Sequence, residues 1–357
     1  RMEVRILIAS VLSMAIIFLW ARYFAPKQPV NPPAAGGAAA VETQPVPPSG
    51  AGATAAGPGA APPAKAATQP PSPPKADTQE RTIIVENDLY RVEFSNRGAV
   101  VKSWQLKQYK DDARPPRILD VAHPEASRQT GGWPFSLTLE DPQLEAAANG
   151  GLYQITSGGT SLRVPAEAQF VWSNGQLEVS KTFHFDDSYV VRVETEVKLN
   201  GAPVPAGLAW RGGFGDVTVT NPAAVEQVNV LYSQGGKLKN LAHKNLNPLD
   251  QTPRGSWQSG NEFAGIEDRY FAAVFLPRNA PTIATRYWKQ MREVQVAQKK
   301  ETVREPVSEV AVTTGAPPLA LRVFVGPKDY DLLKSMSPPL HALVQFGWLE
   351  IVADPIF

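Results

Sequence analysis

The sequence contains no cysteine, which excludes disulfides, thiolate metal sites and cysteine nucleophiles while leaving an oxidising compartment open. It has almost no charge excess. Its 35 basic and 34 acidic residues give a formal +1, too balanced for a general nucleic-acid binder, which carries a basic patch and a pI above about 9. Only four histidines are present, His123, His184, His243 and His341, and none is paired with another at metal-ligand spacing. No metal site is therefore expected, and the sequence calls for no cofactor. No internal repeat is evident, which argues against a propeller or solenoid.

Proline and glycine are abundant, at 34 and 27 residues, but they are unevenly placed. Residues 26–79 hold 14 of the prolines, with Ala/Gly tracts and no Ile, Leu, Met or aromatic residue. Such a stretch buries too little apolar surface to offset its ordering entropy, so residues 26–80 are expected to form a disordered, extended spacer. Ahead of it, residues 6–21 read ILIASVLSMAIIFLWA, sixteen residues without a charge, bounded by Arg5 and Arg22. At 1.5 Å per residue the run covers roughly 24 Å, and Tyr23–Ala25 extend it toward the ~30 Å of a bilayer core. Ile6, Leu7, Leu12, Ile16, Phe18 and Trp20 are the expected membrane-anchor residues, within an N-terminal helix over 1–25. The bulky residues that follow the run argue against signal-peptide cleavage. The short head before the span favours an inside amino terminus, with the bulk of the chain outside.

From Arg81 the character becomes β. TIIVE, LYRVEF, LEVSKTFHF and YVVRVETEVKL alternate or cluster strand formers, and Asp186-Asp187 marks a turn between the last two. Further strand-like runs continue to Val325, with no sustained helical period. Many short strands separated by Gly, Pro and Asn turns predict a mainly β, antiparallel sandwich over 81–326. A short helix is expected over 329–335. After Pro338-Pro339, residues 340, 343, 344, 347, 348, 351 and 352 follow helical spacing. Such a C-terminal amphipathic helix can either close the sandwich or lie flat on a membrane. Asp354-Pro355 reads as an N-cap followed by N1, the opening of another helix.

Candidate chemistry is sparse. His184 with Asp186 and Asp187 is an acid–base candidate, but the pattern places them at a hairpin end, where solvated polar residues are ordinary. The segment 211–216, RGGFGD, resembles a phosphate loop without the helix N-terminus that a phosphate needs. Residues 262–277, EFAGIEDRYFAAVFLP, read as a turn and a buried strand, with Glu267, Asp268 and Arg269 able to pair at its mouth.

Several segments together resemble the N-terminal part of the bacterial YidC-type membrane protein insertases. They are MEVRILIASVLSMAIIFLW, the Pro/Ala-rich linker, NDLYRVEFSNRGAVVKSWQLKQY, GIEDRYFAAVFLP and VFVGPKDYDLLKS…LVQFGWLEIVADPIF. The resemblance implies a first transmembrane helix and a large periplasmic domain, a twisted two-sheet sandwich similar to the sugar-mutarotase supersandwich. It further implies an interfacial helix within 327–353 carrying Leu340, Leu343, Val344, Phe346, Trp348 and Ile351, and the start of a second span at 354–357. Implied partners are the lipid bilayer, nascent membrane proteins and Sec translocon components, with no nucleic acid and no covalent catalysis. Location is implied at the inner membrane with the bulk in the periplasm. The resemblance also implies a groove arginine, in a helical core expected outside this sequence, and neither Arg5 nor Arg22 is expected to take its role. Two other classes remain open: a membrane-tethered carbohydrate-binding or mutarotase-like enzyme, and a simple periplasmic adaptor. The enzyme would need a histidine and a carboxylate converging in a cleft.

Overall fold

The structure, a computed structural model, describes residues 73–216, 228–247, 255–296 and 301–344. The expected anchor residues Ile6, Leu7, Leu12, Ile16, Phe18 and Trp20 lie outside them, as do Phe346, Trp348 and Ile351. Among the described residues, no helix is long and apolar enough to cross a membrane.

The β domain opens with Thr82–Glu86 (β1), Tyr90–Ser95 (β2), Val100–Lys110 (β3) and Ile118–Asp120 (β4). Next come Pro124–Thr130 (α1), Ser136–Thr138 (β5), Pro142–Gly150 (α2), Gln154–Ile155 (β6) and Ser161–Arg163 (β7). A meander follows: Ala166–Ser173 (β8), Leu177–Phe185 (β9), Val190–Leu199 (β10), Ala202–Pro203 (β11) and Gly207–Trp210 (β12). Asn229–Gln234 (β13), Lys237–Ala242 (β14), Gln258–Asn261 (β15), Phe263–Glu267 (β16) and Phe271–Pro277 (β17) continue the chain. It closes with Ile283–Val296 (β18), Glu301–Thr313 (β19), Leu319–Pro327 (β20) and the single-turn helix Tyr330–Lys334 (α3).

These strands form three sheets where two were expected. Their orders are β4-β3-β2-β1-β7, β14-β13-β16-β17-β20-β10-β9-β8-β6 with β11 on β10, and β15-β18-β19-β12-β5. Pairing is antiparallel except between β1 and β7, a parallel pair that the sequence pattern does not anticipate. The alternation in β9 and β10 is that of strands with one buried face: Val179, Phe183, Val191 and Val193 are buried, and Val193 lies opposite Phe183. β17 and β20, by contrast, are apolar along almost their whole length, because both of their faces are covered.

The core lies between the sheets and is built around aromatics. Phe94 and Phe183 approach to 4.7 Å between ring centroids, and Phe135 meets Phe183 edge-on at 5.3 Å. Each such ring, fully buried, contributes roughly 1.5–3 kcal/mol.

Several expectations change. The domain reaches back before Arg81: Lys75 pairs with Ser173 through backbone bonds of 2.9 and 2.7 Å, and the Asp77 amide donates to Leu152. A strip of the expected spacer thus serves as an extra edge. Helices α1 and α2 interrupt a region expected to lack helix. Both start with proline at the first turn, and Asp141 caps α2 by accepting from the amides of Gln143 and Leu144. Where many short strands were expected, β18 is one long continuous strand, paired along its length with β19 from Ala284↔Thr313 to Val296↔Glu301.

Candidate functional site: the motif-bearing end of the ten-stranded sheet

The most distinctive sequence runs, around Glu267–Phe271 and Pro327–Tyr330, converge. Register explains it: Phe271, the first residue of β17, lies opposite Pro327, the last of β20. The turn before one strand and the exit from the other therefore share one end of the sheet. The Lys328 amide donates to the Tyr270 carbonyl at 2.7 Å.

Two charged groups are locked at this end. Lys328 Nζ lies 3.1 Å from Glu267 Oε2, with side-chain exposures of only 14% and 4%. Asn240 Nδ2 donates to the other Glu267 oxygen at 3.2 Å. Burial raises the Glu267 pKa, and the Lys328 charge and hydrogen bond oppose that rise. Asp268 turns inward: its Oδ1 accepts from the amides of Tyr270 and Phe271 at 2.8 and 2.7 Å, and burial raises its pKa. The sequence expectation of pairing among Glu267, Asp268 and Arg269 is thus corrected. Glu267 finds Lys328 across the sheet, Asp268 caps its own turn, and Arg269 lies over the Tyr270 ring at 5.4 Å.

Close backbone approach fixes the strands behind this turn. A Cβ on Gly265 would sit 2.0 Å from the Ala273 carbonyl oxygen, and one on Gly326 would sit 2.9 Å from the Tyr189 ring. Beside the turn is a cleft of about 600 Å³, lined in part by Tyr109, Lys110, Phe214, Asp268, Arg269 and Lys328. Tyr109 meets Phe271 edge-on at 5.1 Å, and burial raises its pKa.

Beyond Lys328, Asp329 caps α3 by accepting from the Leu332 amide at 2.9 Å. Leu333 is buried, and its carbonyl accepts from the Leu340 amide. Leu340 and Leu343 are fully buried in the core, and Val344 packs against it. Here the expected amphipathic helix begins differently. Residues 341–343 form a 3-10 turn after Pro338-Pro339, and the first two apolar positions of the stripe close the sandwich.

The remaining candidates are dispersed. His184 Nδ1 faces Glu167 Oε2 at 3.2 Å across the β8–β9 ladder, with side-chain exposures of 28% and 53%. This is a cross-strand surface pair, not a group inside the cleft. His123 Nε2 donates to the Gly215 carbonyl at 2.7 Å, and burial pushes the imidazole down to about 4, so it is neutral at physiological pH. Within 211–216, the Arg211 guanidinium pairs with Glu309 at 3.0 Å. Gly212 N, Trp288 Nε1 and Gln290 Nε2 also donate to that carboxylate. The segment is a structural lock and not a phosphate loop. Among the described residues, no group of three or more His, Cys, Asp or Glu is placed to hold a metal ion.

Sequence reasoning overlooked Lys181. It is fully buried in β9, and its ammonium donates to the carbonyls of Gly98 and Phe135 at 2.8 Å and of Ala99 at 3.3 Å. The signal was present: in LEVSKTFHF the lysine occupies the inward parity of an otherwise apolar face.

A mainly β sandwich with one motif-bearing end is the class that the fold and this site define. The chain belongs to the YidC family: residues 82–357 match the model described as the YidC periplasmic domain. Proteins described as membrane protein insertase YidC are similar along most of the chain. That of Pelobacter propionicus is 27% identical, covering 99% of this chain and 62% of the relative. That of Geotalea daltonii is 25% identical, covering 99% and 63%. The chain therefore spans less than two thirds of these relatives. Among solved structures, a galactose mutarotase related enzyme from Lactobacillus acidophilus is 11% identical with a TM-score of 0.40, covering 69% of this chain and 97% of that one. A galactose mutarotase-like protein from Lactobacillus casei is 12% identical at the same TM-score, covering 69% and 100%. Likeness at that level says nothing of a shared activity.

Proposed function

We propose that this chain is the membrane-anchored periplasmic part of an insertase and chaperone. The whole protein inserts integral inner-membrane proteins and helps them fold, alone or with the Sec translocon. The observation that carries this reading is the family match over residues 82–357, which includes both motif runs that meet at the Phe271↔Pro327 end. In this reading the β domain does no covalent chemistry. Residues 1–25 anchor the chain with the amino terminus inside, and 26–72 act as a spacer. Residues 345–353, with Phe346, Trp348 and Ile351, continue from the buried Leu340 and Leu343 onto the membrane surface, and 354–357 open a second span. Contacts are to the bilayer, nascent membrane proteins and Sec components.

The test is complementation. The complete gene is expressed in bacteria depleted of their own insertase, and insertion of a single-span membrane protein is scored by protease access to its periplasmic tail. Restored insertion is the expected result. Failure to restore it, with the protein present in the membrane fraction, refutes the reading.

A further inference from the structure

We infer that the Arg269–Tyr270 turn is a rigid contact with the phospholipid headgroup layer, which fixes how the β domain stands on the membrane. The inference rests on the proposed membrane anchoring. Tyr270 is 62% exposed, the most exposed large apolar side chain among the described residues. It is also not free to move with its backbone. Asp268 Oδ1 holds the Tyr270 and Phe271 amides, and the Lys328 amide holds the Tyr270 carbonyl. Arg269 stacks over the ring. An aromatic body with a polar tip, beside a guanidinium able to bind phosphate, is the side-chain pair that suits a bilayer interface.

Chain length selects the lipid surface as the occupant. The spacer over 26–72 is too long to orient the domain. The other connection is short: nine residues, 345–353, lie between Val344 and Asp354, the proposed start of the second span, which is ten steps along the chain. Fully extended, those steps reach about 35 Å, and as a helix about 15 Å. The end of the domain carrying Val344 is thereby held near the bilayer. The Arg269–Tyr270 turn shares that end, because Tyr270 is bonded to Lys328, and Tyr330, two residues on, packs edge-on against His341 at 5.9 Å. The neighbouring carboxylates of Glu267 and Asp268 are engaged with Lys328 and with backbone amides, and the exposed Asp329 carboxylate caps α3. Arg269 is left as the charge at the tip of the turn.

The chain has no cysteine, so a single introduced one can be labelled uniquely. A nitroxide at Asp331→Cys, exposed on α3, reports the approach of this end to the bilayer. One at Asn279→Cys, exposed beyond the opposite end of β17, is the control. The full chain is placed in vesicles of phosphatidylethanolamine and phosphatidylglycerol and probed with a water-soluble relaxing agent. We expect access at position 331 to be about threefold lower than at 279, and Arg269→Glu with Tyr270→Ser to remove the difference. Equal access without those substitutions overturns the inference while leaving anchoring intact, as does protection that survives them. A chain that fails to float with the vesicles overturns both.

Discussion

Replacing Lys181 by Met isolates the effect of one buried charge on stability. The ammonium is 0% exposed, and burial pushes its pKa from 10.5 down to about 7. Its three N–H groups match the three carbonyls of Gly98, Ala99 and Phe135, which hold the proton on against that burial. The folded pKa lies below the unfolded one. The unfolded chain therefore binds more protons between about pH 7 and pH 10.5, and stability rises with pH across that window. At 1.36 kcal/mol per unit, the charge costs about 5 kcal/mol at the acid end, and about 2 kcal/mol of this is recovered between roughly pH 7 and pH 9. Methionine removes that cost but also removes the donors, at about 1–3 kcal/mol per buried carbonyl left unmatched. The two effects offset, so the diagnostic quantity is the pH slope. Urea denaturation followed by tryptophan fluorescence should show wild-type stability climbing over the window and a flatter profile for Lys181→Met. Parallel profiles would refute the reasoning.

Other substitutions probe the locks described above. Lys328→Ala leaves the Glu267 carboxylate buried without its cation, with Asn240 still donating to it, at a cost of about 3–5 kcal/mol near neutral pH. Because burial raises the Glu267 pKa, the deficit should shrink as acidification protonates it, and a melting series against pH checks the sign. Glu309→Ala strips the partner from the buried Arg211 and should cost a similar amount, with Glu309→Gln milder because it retains an acceptor. Gly265→Ala drives a methyl into the Ala273 carbonyl and should destabilise by about 3 kcal/mol or more. Gly326→Ala meets only the Tyr189 ring and should cost less. Equal melting temperatures for the two glycine variants would contradict the packing argument.

What the sequence made legible followed from periodicity. The alternation in LEVSKTFHF and VVRVETEVKL named β9 and β10 to within two residues, because each buries one face. The fully apolar FAAVFL announced a strand covered on both sides. Helices α1 and α2 escaped notice because, at seven and nine residues, they are too short to establish a period, although proline after His123 and after Asp141 marked both starts. The length of the β18–β19 ribbon was not legible, because Lys289 and Arg292 interrupt the apolar pattern midway along β18, which a paired ribbon tolerates where its surfaces are solvated. The pairing of Glu267 with Lys328 was not legible, since it depends on the Phe271↔Pro327 register and no local pattern encodes that register. The stripe from Leu340 onward carried two roles under one periodicity. Its first two leucines belong to the core, a division that only tertiary packing reveals.

That division also determines how the central claim is best tested. Removing residues 113–258 would delete β10, which pairs with β20 from Val190↔Phe324 to Thr195↔Leu319, and would dismantle the sandwich itself. Point substitutions avoid this. In the complete gene product, Phe346→Ser, Trp348→Ser and Ile351→Ser leave Leu340 and Leu343 in the core while removing the proposed membrane-facing residues. The comparison variant has the β18 residues 292–296, the β19 residues 301–305 and the segment that joins them replaced by a short turn. Membrane insertion of a single-span substrate is measured for both in insertase-depleted cells. The account predicts that the serine variant loses insertion and the shortened ribbon keeps it; equal loss, or loss only with the shortened ribbon, would contradict it.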